Sequence, residues 1–431
     1  MTSLTRCNNT ILLSVLLLLL VTSPVSANNG LLFIGFGSES LGMGGADIAV
    51  ARDTTALNTN PAGLAQLNHQ ADLYGTLTYA VDVGHRDARG NDVGVADRLI
   101  PTGGAGYARR LSDSKLVLGA GFFVQGGAGN KFENLTTAAG TRDELSARLA
   151  IFKFAPGLSY EFTDRLRVGA SVAAVLATLD QKLFPGTSVI APAPFFGLDA
   201  EGLTATGVNA RIGVQYVASQ QLTLAMVYSS KTELDFKDGE LKSNQSAAGL
   251  GIVTYRDARI EGFALPQEVS VGASWKSADA KLLLSAKLAW LNWDDALNQQ
   301  TITASNPSGP AAAPSLRRDS PLNWKDQYVW AFGLAYTTDV RTTLYGGLNL
   351  ANNPVPPETL TPLLSPAIAR KHVTAGLSHP LGSGWRLAGG MLYVFPEKVT
   401  YTNPSLQPLL GANSEERIEY FGINAMVSKT W

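Results

Sequence analysis

The last twelve residues constrain the fold most tightly. Phe421, Ile423, Ala425, Val427 and Trp431 fall on one face of an extended segment, and Tyr420, Gly422, Asn424, Ser428 and Thr430 on the other, because strand side chains alternate between two faces. An alternating strand that closes on an aromatic has the form of the terminal insertion signal of outer-membrane β-barrels. It implies the barrel-assembly machinery as a partner. Lys429 stands on the apolar face and has to snorkel to the headgroups, which suits a position at the membrane edge.

The same period of two recurs upstream. Leu166, Val168, Ala170, Val172, Ala174 and Leu176 alternate with Arg167, Gly169, Ser171 and Ala173. Leu222, Leu224, Met226 and Tyr228 form another such face, and Tyr328, Trp330, Phe332, Leu334 and Tyr336 an aromatic-rich one. A soluble β-sandwich alternates too, so composition has to decide. Hydrophobic residues make up 45% of the chain and charged residues 16%, against roughly 25% charged in soluble domains. Past residue 27, however, no apolar run is long enough for a helical span. A barrel spreads its lipid-facing residues over every second position, where hydropathy windows miss them.

The first residues carry the address. Arg6 supplies a basic n-region, Ile11 to Val21 an apolar core, and Val25-Ser26-Ala27 a small-residue cleavage site, so residues 1–27 read as a secretory signal peptide for the Sec pathway. The apolar run is shorter than a transmembrane helix needs, and Cys7 precedes the core instead of closing it as in a lipoprotein. The compartment implied is the outer membrane of a Gram-negative-type cell.

Turn residues cluster at 111–114, 162–165, 218–221, 276–279, 338–341 and 380–384, where Ser, Asp and Gly favour tight reversals. Longer segments lie near 84–99, 129–146, 181–205, 236–260, 294–322, 353–370 and 397–416. Six short turns alternating with seven long loops give an all-β, 14-stranded antiparallel transmembrane barrel over residues 71–431, with short periplasmic and long extracellular connections. Residues 28–70 are Gly- and Ala-rich but contain Leu31, Leu32, Phe33, Ile34 and Ile48. A disordered tail does not need such apolar content, so this segment is expected inside the lumen as an N-terminal hatch.

Several chemistries find no support. Cys7 is the single cysteine and lies in the expected leader, so disulfides, thiolate catalysis and cysteine-based zinc sites are excluded from the exported chain. The histidines His69, His85, His372 and His379 form no recognisable nucleophile arrangement, which speaks against a barrel lipid hydrolase; His372, near Ser378, reads as an interface or loop residue. No cofactor and no metal are expected. With Arg6 removed, 33 basic and 35 acidic side chains remain, a balance that gives no reason to expect nucleic acid. A general porin wants charged lumen rings and no plug, and the lumen faces here are small and weakly charged.

Ordered motifs add a family resemblance. Ser40-Leu41-Gly42-Met43-Gly44-Gly45-Ala46, Asp53-Thr54-Thr55-Ala56 and Asn60-Pro61-Ala62-Gly63-Leu64 resemble the hatch of the FadL-type transporters, outer-membrane proteins for long-chain fatty acids with relatives that admit aromatic hydrocarbons such as toluene. Leu265-Pro266 with Gly272, Trp290-Leu291-Asn292-Trp293, Asn323-Trp324-Lys325-Asp326 and Asn352-Asn353-Pro354-Val355-Pro356 are similar to later family motifs in the same order. The resemblance implies a plugged fourteen-stranded barrel for passive uptake of hydrophobic molecules. Ligand sticks to apolar loops, enters a lumen pocket, and leaves sideways through the wall after the hatch rearranges. Burial worth roughly 0.8 kcal/mol per CH₂ is then retained at every step.

On that reading Asn60, Pro61, Ala62 and Gly63 are the gate, or a simple turn closing the hatch onto strand one. The third strand, Leu116 to Gly129, carries the wall kink at Gly126-Gly127, with room for the hatch as the rival reading. Leu183, Phe184, Phe195, Phe196 and Leu198 crowd one loop and form the expected capture patch, or pack on neighbouring loops. Arg317 and Arg318, taken to enter the tenth strand, and Lys325 are the candidate carboxylate anchors. Outer-membrane lipid and lipopolysaccharide are the expected surroundings of a monomer.

Overall fold

A computed structural model describes residues 29–431 except 113, 192 and 193; the expected leader, with Arg6 and Cys7, lies outside the described residues. Fourteen strands close into one antiparallel barrel. In chain order they are β1 (His69–Ala80), β2 (Leu99–Arg110), β3 (Leu116–Ala128), β4 (Arg142–Glu161), β5 (Leu166–Val189), β6 (Phe195–Val217), β7 (Leu222–Ser229), β8 (Glu268–Lys276), β9 (Leu282–Leu291), β10 (Gln327–Thr337), β11 (Thr343–Ala351), β12 (Lys371–Gly382), β13 (Trp385–Tyr401) and β14 (Ser414–Thr430). Each pairs with the next, and β14 returns to β1 from Gln70↔Thr430 to Ala80↔Tyr420, which closes the ring of strands.

The alternation has the sense of a membrane protein. Val208, Ile212, Met226, Trp330, Met391 and Ile423 point outward and are half or more exposed. Ser171, Asn209, Gln215, Ser270, Gln327 and Asn349 point inward and are buried. At the turn end Lys429 bonds the Ser383 carbonyl and its ammonium lies 5.2 Å from the Trp385 ring, the snorkelling geometry its position demands.

What fills the inside is the N-terminal segment. Its interior runs over a short helix, Gly37–Gly42, and a 3-10 turn, Pro61–Gln66. Asn60 caps that turn by accepting from Ala62 N at 3.1 Å, with Pro61 in the first helical position, where its missing N–H costs nothing. The segment is bonded to the wall on several sides: Asn349 donates to Gly44 O (3.1 Å), Thr374 to Gly42 O (3.0 Å), and Ser159 to Ala62 O (2.9 Å).

The long connections differ from expectation. Segments 236–260 and 294–322 are not open loops but hairpins, Phe236–Asn244 with Ile252–Glu261 and Gln299–Pro307 with Ser315–Pro321. They extend the wall upward from β6. Likewise β5 and β6 run through most of 181–205, and the tenth strand begins at Gln327, past Arg317 and Arg318. His372 sits on β12 facing inward, 1% exposed, not in a loop or interface.

Candidate functional site

At the extracellular end the lumen holds an apolar cavity of about 310 Å³. Its wall comes from Leu145 and Leu149 on β4, Leu179 and Leu183 on β5, Phe263, Leu297 and Ile302 on the hairpin side, and Leu363 and Leu406 above. Leu31, from the inner segment, forms part of the lining. The residues expected as a capture patch are packed rather than exposed. Leu198 and Phe184 are buried at 4% and 0%, Phe195 packs edge-on against Phe184, and Leu183 lines the cavity; Phe196 is half-buried. The two strands continue past the membrane, and the register breaks between Leu183 and Ser188, where Phe184 adopts φ 47°, so these apolar residues pack into the structure instead of forming an exposed loop.

Two donors in this lining have no acceptor. The Arg318 side chain lines the cavity with no hydrogen-bond or ion-pair partner among the described residues, and burial pushes its pKa below the ordinary guanidinium value. The Trp324 indole N–H is fully buried and unbonded in the same lining. Arg318 is only partly buried, so its guanidinium is accessible from the cavity; for the fully buried Trp324 N–H an unmade bond costs about 1–3 kcal/mol. The other two anchor candidates are corrected. Arg317 points outward and pairs with Asp319 at 2.9 Å; Lys325 is exposed and meets Asp294 at 3.6 Å. Strand parity on the hairpin decides between neighbours 317 and 318, a signal absent once the region is taken for a loop.

Beyond Leu31 the character changes. Leu32 borders a small gap of about 20 Å³ lined by Lys153, Asn209, Arg211 and Glu268. Lys153 is buried and donates to Asn209 Oδ1 at 2.7 Å, with no carboxylate within 4 Å among the described residues. Arg211 binds Glu268 (3.1 Å) and Thr59 O (3.1 Å), but its Nε has no partner. Lys287 meets Asp47 of the inner segment at 3.4 Å. Sequence reading missed Lys153 and Arg211. A charged residue at inward parity in β4 and β6 was the available signal.

The wall is incomplete at one place. β2 and β3 pair only from Gly104↔Phe123 to Arg110↔Val117, so Leu99–Gly103 and Val124–Ala128 face each other unpaired. On its other side β3 carries a bulge, with Val124↔Phe152 followed by Gly126↔Ile151, which leaves Gln125 as the extra residue. Gly127 adopts φ 151°, a conformation open to glycine. The kinked strand touches the inner segment through a Leu32↔Gly126 bridge and Gly127 N to Leu31 O at 3.2 Å. Gln125 accepts from Asn58 at 2.8 Å. Asn60 to Gly63 lie elsewhere: Asn60 Nδ2 donates to Ile48 O and faces Val214 O of β6, and Ala62 O faces β4. Leu31, Leu32, Phe33 and Asn58 make contact between inner segment and kinked strand, whereas Asn60 and Ala62 bond elsewhere.

The cavity roof rests on a buried charge cluster. His85 is 0% exposed, with Nδ1 2.6 Å from Glu416 and Nε2 3.1 Å from Asp87. Two carboxylate partners require both ring nitrogens protonated. Burial alone lowers its pKa, but Glu416 and Asp87 outweigh this and raise it to about 9. Tyr401 donates to Glu416 at 3.0 Å, tying in the connection that carries Leu406. Since the folded pKa is raised above the ordinary 6.5, the stabilisation is complete below about pH 6.5 and disappears as pH rises through 9. It is worth on the order of 3 kcal/mol. Thermal melts should therefore lose stability between pH 7 and 10, and His85→Gln should flatten that dependence; a wild-type melt independent of pH over this range contradicts the charged clamp.

A tall closed barrel with a plugged lumen, an apolar chamber near its outer end and a breached wall defines an outer-membrane transporter of hydrophobic compounds. Over residues 19–428 the chain matches the family described as Outer membrane protein transport protein (OMPP1/FadL/TodX), and it belongs to that family. Among solved structures, the Pseudomonas putida toluene transporter TodX is similar at TM-score 0.75 and 20% identity, covering 92% of this chain and 99% of that one. The Ralstonia pickettii toluene transporter TbuX gives 0.72 and 20%, with the same coverage, and a Pseudomonas aeruginosa FadL homologue 0.70 and 15%, covering 93% and 98%. No curated protein sequence matches the chain.

Proposed function

We propose that this protein takes up long-chain fatty acids by binding them in the apolar chamber and releasing them sideways into the outer membrane. The observation that carries the reading is the unpaired Arg318 guanidinium in a largely apolar lining, with the buried and unbonded Trp324 N–H in the same wall. An alkyl chain fills the lining while its carboxylate meets Arg318. Moving past Leu31 and Leu32, the head group next meets Lys153 and Arg211, and the breach between β2 and β3 is the exit. The barrel works as a monomer, in outer-membrane lipid and lipopolysaccharide.

Aromatic hydrocarbons are the second reading, favoured by the toluene transporters among the similar folds. A neutral ring needs no cation, so one substitution separates the two. Arg318→Leu should weaken binding of a long-chain fatty acid about ten- to hundred-fold, the value of a charged hydrogen bond, and leave toluene binding unchanged. Equal affinity of wild type and variant for the acid sinks the carboxylate reading. Tight toluene binding by wild type without measurable acid binding establishes the second.

A further inference from the structure

We propose that Phe33 is the stopper of the wall breach, an aromatic ring held by the inner segment in the gap beside the kinked strand. The argument starts from two side chains that ought to face lipid. On β4, Phe154 is 52% exposed to the outside, so Phe152 and Ala150 share its outward face by alternation. On β3, Val124 lies opposite Phe152 and shares that face. Yet Val124 and Ala150 are only 5% and 3% exposed. The residues packed on this pair are Phe152 and Phe33.

Phe33 comes from the luminal side. Its ring meets Phe36 edge-on at 6.3 Å, and Phe36 meets the inward-facing Phe123 at 6.1 Å. A luminal residue covers outward-facing side chains only by entering the break in the ladder, and the break runs along Val124–Ala128. Phe33 is half-buried and also lines an inner cavity with Asn58, Gln125 and Arg211, and the adjoining Leu32 is bridged to Gly126. The ring is thereby hinged to the strand it seals. Withdrawing the inner segment pulls the stopper, and the cross-section the ring leaves behind limits what passes.

This inference rests on sideways release, and the experiment separates the two. With Cys7 replaced by Ser, Phe33→Cys is the single thiol of the chain and takes a nitroxide. In vesicles the label is expected to be relaxed more by lipid-dissolved oxygen than by an aqueous nickel chelate. Phe33→Ala should speed release of a fluorescent fatty acid into vesicle lipid several-fold and relax selection against bulky acyl tags, and Phe33→Trp should slow it, with barrel melting unchanged in both. A label relaxed mainly by the aqueous chelate, or an Ala variant with wild-type release and size selection, overturns the stopper. If removing the β3 bulge leaves release intact, the sideways route itself fails, whatever Phe33 does.

Discussion

Deletion of Gln125 is expected to stop transport while leaving ligand binding intact. The residue is the surplus one in β3, where Val124↔Phe152 steps to Gly126↔Ile151. Without it the strand regains one residue per partner residue and loses the bend that bulges impose. Val124–Ala128 then lies within reach of Leu99–Gly103 across the gap, and unpaired backbone facing lipid is costly enough to favour pairing. The deletion also removes the acceptor for Asn58. Fatty acid uptake by vesicles or cells should fall to the level of membranes lacking the protein. The chamber residues Leu145, Leu179, Arg318 and Trp324 lie away from the bulge, so equilibrium binding should persist. Undiminished uptake means that ligand leaves through the periplasmic end.

Replacing Gly347 by Leu is expected to turn the barrel into a leaky pore. Gly347 faces inward on β11, and a Cβ there collides with the backbone of Met43 and Gly44. Backbone on both sides cannot yield as a flexible side chain does, so the overpacked inner segment is driven off the wall. It loses the Asn349–Gly44 and Thr374–Gly42 bonds next door. The strands themselves need not break, because β11 pairs with β10 and β12 through its own backbone. Liposome swelling in sugar solutions, negligible for wild type, should become rapid. Gly346→Leu is the control, since a side chain at that position meets open space. Swelling by neither variant shows that the segment is not what closes the lumen.

Barrel architecture was legible because lipid imposes a strict rule on every second residue. Tyr328 to Tyr336 and Phe421 to Trp431 show that rule directly, and short turns rich in Ser, Asp and Gly marked one side. Above the membrane the rule lapses. The hairpins 236–261 and 299–321 are bathed in water on one face and carry charges there, such as Arg256, Asp257 and Arg317; they read as loops. Their inward parity was lost with them, and so was the distinction between Arg317 and Arg318. The buried state of Phe184 and Leu198 was lost for the same reason. Phe33 was noticed as apolar, but its place in the breach depends on a missing stretch of ladder between β2 and β3. That gap is a relation between two strands and leaves no mark on either one alone.

The height of β5 has a consequence for where capture takes place. Its 24 residues, at about 3.3 Å each and tilted about 40°, rise on the order of 60 Å, against about 25 Å for the apolar band of such barrels. Leu179 and Leu183 lie on the part that stands clear of lipid, beyond the exposed Leu176. On the proposed route the ligand leaves water well outside the bilayer, is carried down within a protein sleeve, and meets acyl chains only at the level of the breach. On that route the polar, crowded layer around the barrel is bypassed, and the rate of entry is expected to follow the sleeve and not the permeability of the outer leaflet.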